Sequence, residues 1–410
     1  MPELKTVPNK QKTQNPLTDL KSIRETTLKL LAYCKENDWA GYDPYDALNS
    51  RVFKALPFLN FKIARLVLTQ VVKRSPINLR PLLLVPKTHN PKGVALFLSS
   101  LVRLRRVGLL DGDEPIRSMA DRLLALRSPN LQYAAWGYSF DWQTRSCLVP
   151  KGSPNIICST FAANALLDAY EQVREAQWLN AAISTADFLL DKLFWREGAS
   201  VACFSYTPIE RSQVHNANLL GASLLCRISS MSGKNQLLNS ALDAARYSVS
   251  KQHQDGSWDY GEALSQRWID NFHTGFNLVA LRRIARYGGT TEFETSIRRG
   301  YEFFKDHFFR EDGAPKYFHN ATYPIDIHSV AQSVLTLCEF RYYSEENIDR
   351  AQSVLDWAMG NLWDSRGFFY FQQHPHFTVR TSFMRWSQTW MLLALATVLD
   401  GSEGRGESAP

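Results

Sequence analysis

Two short strings in this sequence place an aspartate just before a histidine, a pairing that can move protons. The string "IDNFHTGFN" contains Asp270 and His273, and the string "YPIDIHSVAQ" contains Asp326 and His328. A carboxylate that bonds an imidazole orients the ring and fixes which nitrogen holds the proton. We therefore expect these four residues, together with Glu262, to be catalytic. An aspartate at a helix start is also a common N-cap, so a structural role for both aspartates stays open.

A second set of residues could hold a ligand beside that group. Trp258, Tyr260 and Trp386 could form stacking walls around a sugar, and Arg385 could bind an acidic group bidentately or pair with an acid of a neighbouring hairpin. The other candidates for substrate binding lie in loops and at helix starts: Asp141, Arg145, His215, Asn216, Asp259 and Asn271.

The carboxylates leave two reactions open. Glycoside hydrolysis needs two carboxyl groups at about 5–9.5 Å from each other, a distance that sequence spacing does not give. Asp141, Asp255, Asp259 and Glu262 are the freest carboxylates in the loops, although Asp255 before Gly256 is also a common turn pair. Proton transfer by histidine or tyrosine would instead serve elimination or epimerisation. Tyrosines that recur in successive loops are candidates for stacking, proton donation or simple packing: Tyr138, Tyr206, Tyr260, Tyr317 and Tyr370.

The elements that must position these residues are repeated helical hairpins. Apolar residues recur at helical spacing between residues 17 and 399 and predict a series of helices, including a long one over 49–73. Gly198, Gly256, Gly313 and Gly367 lie in loops spaced 58, 57 and 54 residues apart, and a polar helix start follows each loop. About six such hairpins predict an all-α fold, an (α/α)6 toroid, whose polar helix starts converge on one central funnel.

This organisation predicts one large domain. We expect the toroid to cover residues 17–400, after a flexible N-terminus over 1–16 and before a disordered tail over 401–410. The tail "GSEGRGESAP" contains almost no apolar side chain that could pack on the domain.

Composition and charge limit the partners that the protein could have. The chain has 410 residues and a formal net charge of +7. Its basic clusters are typical of solvated helix faces, and the alternative is a bias toward anionic partners such as a uronate-bearing glycan, a phosphate or a membrane surface. No nucleic-acid-binding motif accompanies that charge, so nucleic acid is not expected. No apolar run reaches the ~18 residues of a membrane helix, and no signal-peptide pattern opens the chain, which favours the cytoplasm.

Metal and cofactor motifs are absent from the sequence. Its six cysteines form no C-x-x-C pair and its nine histidines no H-E-x-x-H motif. The sequence also lacks a phosphate-binding P-loop and a dinucleotide fingerprint. We therefore expect no metal site and no cofactor, although a lyase could recruit a divalent cation that the sequence does not reveal.

Four strings resemble a known group of proteins. "GYDPYDALNS", "DNFHTGFN", "YPIDIHSVAQ" and "MRWSQTWM" are similar to proteins encoded with bacterial exopolysaccharide genes, within the six-hairpin glycosidase superfamily. The similarity extends from about Asp38 to Leu399. It implies a carbohydrate substrate, a reaction that is hydrolysis, elimination or epimerisation, and possible association with a polysaccharide-synthesis complex.

Two other classes of function stay open. One is a non-catalytic glycan-binding or scaffold protein, whose funnel would lack histidines and carboxylates within reach of one ligand. The other is an isoprenoid-handling toroid, because "QDGSW" also resembles the Q-x-x-D-G-x-W element of terpenoid cyclases. That class predicts an apolar funnel with few converging polar side chains, and its D-x-D-D acid and zinc ligands are missing here.

Overall fold

The computed structural model describes residues 20–144, 147–198, 200–344 and 346–403. Its α-helices, numbered in chain order, are α1 Leu20–Glu36, α2 Arg51–Lys54, α3 Lys62–Arg74, α4 Pro91–Arg106, α5 Glu114–Ala125, α6 Ile156–Val173, α7 Ala176–Phe188, α8 His215–Ser232, α9 Gln236–Ser250, α10 Asn271–Gly288, α11 Glu294–His307, α12 Ile327–Glu339, α13 Glu346–Asn361 and α14 Thr389–Glu403. Among these residues no helix is long and apolar enough to cross a membrane.

Six helical hairpins form a closed ring, which confirms the predicted (α/α)6 toroid. The inner helices α4, α6, α8, α10, α12 and α14 contact one another in that order, and α14 contacts α4 to close the ring. The outer helices α5, α7, α9, α11 and α13 pack on the inner helices that precede them. Helix α1 packs against α14, so the two ends of the chain together make the sixth hairpin.

Short antiparallel strands lie in the loops between hairpins. They are β1 Trp142–Gln143, β2 Leu148–Val149, β3 Phe194–Glu197, β4 Val201–Phe204, β5 Ile325–Asp326, β6 Trp363–Asp364, β7 Phe368–Phe369, β8 Gln372–Gln373 and β9 Thr378–Val379. Strands β1–β2, β3–β4 and β6–β7 form pairs, and β8 lies between β5 and β9. In the last sheet Asp326 faces Gln372 in register, which fixes the loop at the start of α12.

The inner helices begin with polar caps at one mouth of the ring. Asn90, Asn155, Asp270 and Asp326 each accept a hydrogen bond from a free backbone N–H at the start of α4, α6, α10 and α12. Such caps stabilise a helix end by about 0.5–2 kcal/mol each. The predicted capping role of both aspartates is therefore present, and it brings their helix starts to the same mouth.

The recurring glycines form the corners that lead into each new hairpin. Gly256, Gly313 and Gly367 have φ values of +94°, +85° and +96°. A Cβ atom on Gly256 would lie 2.3 Å from the backbone oxygen of Arg299 on the next outer helix. Only glycine has both the conformation and the small size that this corner needs.

The predicted long helix over 49–73 is wrong. Ser50 caps the short helix α2, the chain turns at Pro57–Leu59, and α3 starts only at Lys62. Pro57 explains the break, because proline lacks the N–H that a continuous helix would use. At the other end of the chain, α14 runs to Glu403, so its last turn enters the predicted tail. Residues 1–19 and 404–410, with most of the predicted flexible ends, lie outside the described residues.

Candidate active site

A cavity of about 1020 Å³ opens at the mouth where the inner helices begin. Its wall combines aromatic side chains with polar ones from successive hairpins. Among the lining residues are Tyr45, Lys92, Tyr138, Trp142, Trp195, Glu197, Tyr206, Glu210, Arg211, Asn216, Tyr260, Glu262, Trp268, Phe272, His273, Tyr317, His328, Arg385 and Trp386. A concave pocket with apolar walls and a few converging polar groups is typical of a small-molecule site.

His273 has a fixed ring with one nitrogen directed away from its partner. Its Nδ1 lies 2.7 Å from Oδ2 of Asp270, and the same oxygen accepts a hydrogen bond from the Trp268 indole at 3.0 Å. A carboxylate at Nδ1 favours the tautomer in which that nitrogen has the proton. Nε2 is then a free acceptor, and His273 is a group that can take a proton from a ligand.

His328 lines the same cavity with both ring nitrogens unpaired. The side chain is 1 % exposed, and neither Nδ1 nor Nε2 has a hydrogen-bond partner among the described residues. Burial, with the positive charges of Lys92 and Arg385, holds the pKa of His328 well below its usual range. A buried polar group without a partner costs about 1–3 kcal/mol, so this neutral imidazole is a feature that folding alone does not explain.

Aromatic rings hold the two histidines close together. Phe272 lies 4.3 Å from His273 and 4.6 Å from His328 between ring centroids, and it stacks on the second ring at 13°. Trp390 stacks on the other face of His328 at 4.5 Å. Phe272 therefore contacts both imidazoles, and both line the same cavity.

The two aspartates lie behind the histidines and do not line the cavity. Asp326 is 0 % exposed and accepts hydrogen bonds from the His328 backbone N–H, the Trp386 indole and the Gln372 amide. Burial raises the pKa of Asp326 to about 6, against the effect of those donors. Asp270 is 2 % exposed. Both carboxylates position other groups, and neither reaches a ligand directly.

Lys92 is a charged group on the cavity floor that the sequence did not single out. It is 4 % exposed, and its Nζ lies 4.4 Å from the ring centre of Phe161 and 5.0 Å from that of Trp390. Burial, reinforced by the charge of Arg385, lowers the pKa of Lys92 to about 7. Its position in the first turn of α4, in the ordinary string "NPKGVAL", gave no signal of this role.

Glu262 reaches the cavity and is held by His215. Nε2 of His215 lies 2.9 Å from Oε1 of Glu262, and His215 itself is buried. That hydrogen bond, despite partial burial, lowers the pKa of Glu262. His215 thus acts behind the wall, whereas its neighbour Asn216 lines the cavity with an unpaired Oδ1.

Arg385 lines the cavity, but its guanidinium is already paired. Asp43 accepts hydrogen bonds from both Nε and Nη2 of Arg385, and both side chains are buried. The carboxylate of Asp43 raises the pKa of Arg385, against the effect of burial. The predicted clamp for an acidic ligand would have to compete with this internal ion pair.

Aromatic side chains from successive loops make the cavity walls. Tyr260 stacks on Trp268 with ring centroids 4.6 Å apart, and the hydroxyls of Tyr138 and Tyr206 lie 2.8 Å apart. Of the recurring loop tyrosines, four line the cavity: Tyr138, Tyr206, Tyr260 and Tyr317. Trp386 lines it as predicted, and Trp268 was missed.

Several predicted substrate-binding residues lie elsewhere. Trp258 is buried and donates its indole N–H to the Ser248 carbonyl, so it packs inside the ring of hairpins. Asn271 is buried on α10 and accepts a hydrogen bond from Ser333.

Asp259 lies 3.8 Å from His253, outside the lining residues. Asp141 lines a separate cavity of about 140 Å³, and Arg145 lies outside the described residues.

The described residues contain no group of three or more His, Cys, Asp or Glu side chains placed to share a metal ion. The six cysteines are free thiols, and five of them are buried.

Comparison with solved structures gives the same fold. A cellobiose 2-epimerase from Bacillus thermoamylovorans superimposes with a TM-score of 0.64 at 11 % identity, covering 92 % of this chain and 98 % of that one. An α-mannanase from Bacteroides thetaiotaomicron gives 0.63 at 9 % identity, with 95 % and 98 % covered. An unsaturated glucuronyl hydrolase from Bacillus sp. GL1 gives 0.62 at 14 % identity, with 92 % and 96 % covered.

These similarities establish the architecture. The chain has the six-hairpin (α/α)6 toroid fold of those glycosidase-like enzymes, along nearly the whole length of each. No family model and no curated protein sequence matches it. At such low identity the shared feature is the fold, and a fold of this kind supports several different reactions.

Proposed function

We propose that this protein is a sugar epimerase in which His273 and His328 exchange a proton with the substrate. What supports this most directly is His328, a neutral imidazole with both nitrogens unpaired in the wall of a ligand-sized cavity. His273 supplies a second base that lines the same cavity. Two bases around one carbon are what inversion of a stereocentre requires.

The reaction is a proton transfer next to a carbonyl group. One histidine removes the C–H proton of a ring-opened sugar, and the electron pair moves onto the carbonyl oxygen as an enediolate. The other histidine, which has taken a proton from solvent, then returns that proton to the opposite face. The first histidine releases its proton to solvent, so protons balance and no bond other than C–H is broken in this step. The ammonium of Lys92, on the cavity floor, is placed to stabilise the enediolate oxygen.

Hydrolysis by two carboxylates has weaker support. Asp270 and Asp326 both lie behind the histidines with their oxygens in hydrogen bonds. Glu197, Glu210 and Glu262 line the cavity, and they would be the carboxylates available to a hydrolase. The many polar lining groups also argue against an isoprenoid ligand.

Several neighbours in fold act on sugars, as their names state: a cellobiose 2-epimerase, an α-mannanase and an unsaturated glucuronyl hydrolase. We infer a carbohydrate substrate for this chain as well. The walls supply Lys92, Arg211 and Arg385 against Glu197, Glu210 and Glu262, so the lining charges are balanced. Balanced charges do not favour an anionic substrate, which stays a prediction. Association with a polysaccharide-synthesis complex and a place in exopolysaccharide production also stay predictions.

The test is incubation in D2O with cellobiose, mannobiose and a glucuronate-containing disaccharide, followed by NMR. We expect one of these sugars to gain deuterium at a single carbon and to form its epimer without cleavage. Cleavage without deuterium gain would support hydrolysis instead. Binding without any reaction would support the non-catalytic scaffold and overturn the proposal.

A further inference from the structure

The segment between α1 and α4 exposes large apolar side chains of the kind that usually lie in a protein core. Of the seventeen large apolar side chains exposed in the described residues, nine lie between Val52 and Leu84. The most exposed of them are Leu82 at 77 %, Phe58 at 73 %, Ile77 at 71 % and Ile63 at 68 %. Large apolar side chains exposed in such number within one segment mark an interaction site. We refer to residues 51–87 as the basic apolar segment.

Helix α3 shows the pattern most clearly. Ile63, Val67 and Val71 are one helical turn apart and form an exposed stripe, whereas Val72 is the only buried residue of this helix. An ordinary surface helix turns its apolar stripe to the core. Helix α3 turns its stripe to solvent, with Lys62 and Arg74 at its two ends.

The charge of the segment has one sign. No aspartate or glutamate occurs between Asp46 and Asp111. Five basic side chains of the segment are exposed: Arg51, Lys54, Lys62, Arg74 and Lys87. The described residues provide no ion-pair partner for Lys62 or Arg74, and Lys54 meets Asp141 only at 3.8 Å. Exposed apolar side chains among unpaired cations are the signature of a surface that lies on an anionic bilayer.

The stripe also adjoins the candidate active site. Leu66 and Gln70 line the cavity, and on the helix surface they lie directly beside the exposed stripe of Ile63, Val67 and Val71. A surface that rests on this stripe is therefore next to the cavity mouth.

We propose that the basic apolar segment docks this protein on an anionic lipid surface, with the cavity mouth beside the membrane. The contact is peripheral: α3 lies along the interface, its apolar stripe enters the headgroup region, and Lys62 and Arg74 meet lipid phosphates. This inference does not depend on the reaction proposed above.

The test is co-sedimentation of the full chain with vesicles of phosphatidylglycerol and, separately, of phosphatidylcholine. We expect binding to the anionic vesicles that is at least about tenfold tighter and that weakens as salt rises. Val67→Ser with Val71→Ser, and separately Lys62→Glu with Arg74→Glu, should each weaken it by about tenfold or more.

A matched pair of changes on another part of the surface provides the control. Tyr342 and Arg298 are exposed and lie outside the segment. Tyr342→Ser with Arg298→Glu should leave vesicle binding unchanged, and circular dichroism melting should show that all variants fold. Equal binding by wild type and stripe variants, or no binding to anionic vesicles, overturns the proposal. Self-association that Val67→Ser abolishes, without vesicle binding, would assign the stripe to a second copy of the chain.

Discussion

The two mouths of the ring differ in whether their buried polar side chains have hydrogen-bond or ion-pair partners. At the mouth where the inner helices begin, His328 keeps two unpaired nitrogens, and Lys92 meets aromatic rings. At the mouth where they end, a cavity of about 600 Å³ is lined by seven arginines and four acids. There the four acids pair with arginines: Arg103 and Arg227 with Asp168, Arg227 with Glu171, Arg283 with Glu339, and Arg106 with Asp400.

This difference indicates which mouth has a structural role and which one binds a ligand. Four of these arginines hold acids of neighbouring helices, and arginines at helix ends also offset the negative end of each helix dipole, which accounts for those four without a ligand. Unpaired groups at the opposite mouth reduce stability and are explained if a ligand supplies the missing partners. Phe276 lines both cavities, so its aromatic ring lies between them. The number of charged side chains in a cavity is therefore a poor guide to a functional site. Buried polar groups without hydrogen-bond partners are a better guide.

The largest expected effect is that of His328→Phe on activity. The new ring keeps the stacking between Phe272 and Trp390 but cannot accept or give a proton. We expect sugar epimerisation to fall by about 10²–10⁴-fold. The melting temperature should stay the same or rise, because two unpaired nitrogens are removed. A variant that unfolds, or one that stays active, would contradict our account of this mouth.

The second prediction concerns Lys92→Met. Loss of the ammonium should lower the rate by about 10²-fold, the effect of removing one donor to a developing oxyanion. Because the pKa of Lys92 is lowered to about 7, wild-type activity should fall as the pH rises through that value. The variant should lack that alkaline decrease. Lys87→Met, at an exposed lysine, is the control and should leave the whole pH profile unchanged.

The third prediction concerns the ion pairs at the mouth where the inner helices end. Asp168→Asn leaves the buried guanidinium of Arg227 without its closest carboxylate, which lies at 2.7 Å. We expect the free energy of unfolding to fall by about 3 kcal/mol, with the rate per folded molecule unchanged. Denaturant titration measures the first and the exchange assay the second. Asp400→Asn removes a more exposed pair with Arg106 and should cost about 1 kcal/mol or less.

The smallest effect is the pH dependence of the same pair. Although burial opposes it, the charges of Arg227 and Arg103 hold the pKa of Asp168 well below its unfolded value of 3.8. The pair therefore stabilises the fold above that value, and its contribution is lost as the pH falls below about 4 towards the folded pKa. Wild type and Asp168→Asn should converge in stability under acid. A constant difference at every pH would show that the carboxylate is not the source.

The sequence predicted the ring well and its cavity in part. Helical periodicity and repeated glycine corners reflect local rules, so the hairpins could be counted from sequence. The Asp-His strings led to His273 and His328 for the same reason, because capping fixes where they lie. Trp258 was expected in the cavity wall and is buried instead, because whether a loop aromatic faces the funnel or the next hairpin depends on how the helices pack. Lys92 had no motif at all, because its role comes from Phe161 and Trp390, which are distant in the chain.

The most direct test of the two-base account compares both histidine variants in D2O, starting from each epimer of the substrate separately. We predict that His273→Asn and His328→Phe both lose interconversion. Each variant should still exchange the proton of one epimer, and the two variants should retain opposite epimers, because each keeps the base on one face. A single histidine whose loss changes neither interconversion nor exchange would contradict the account.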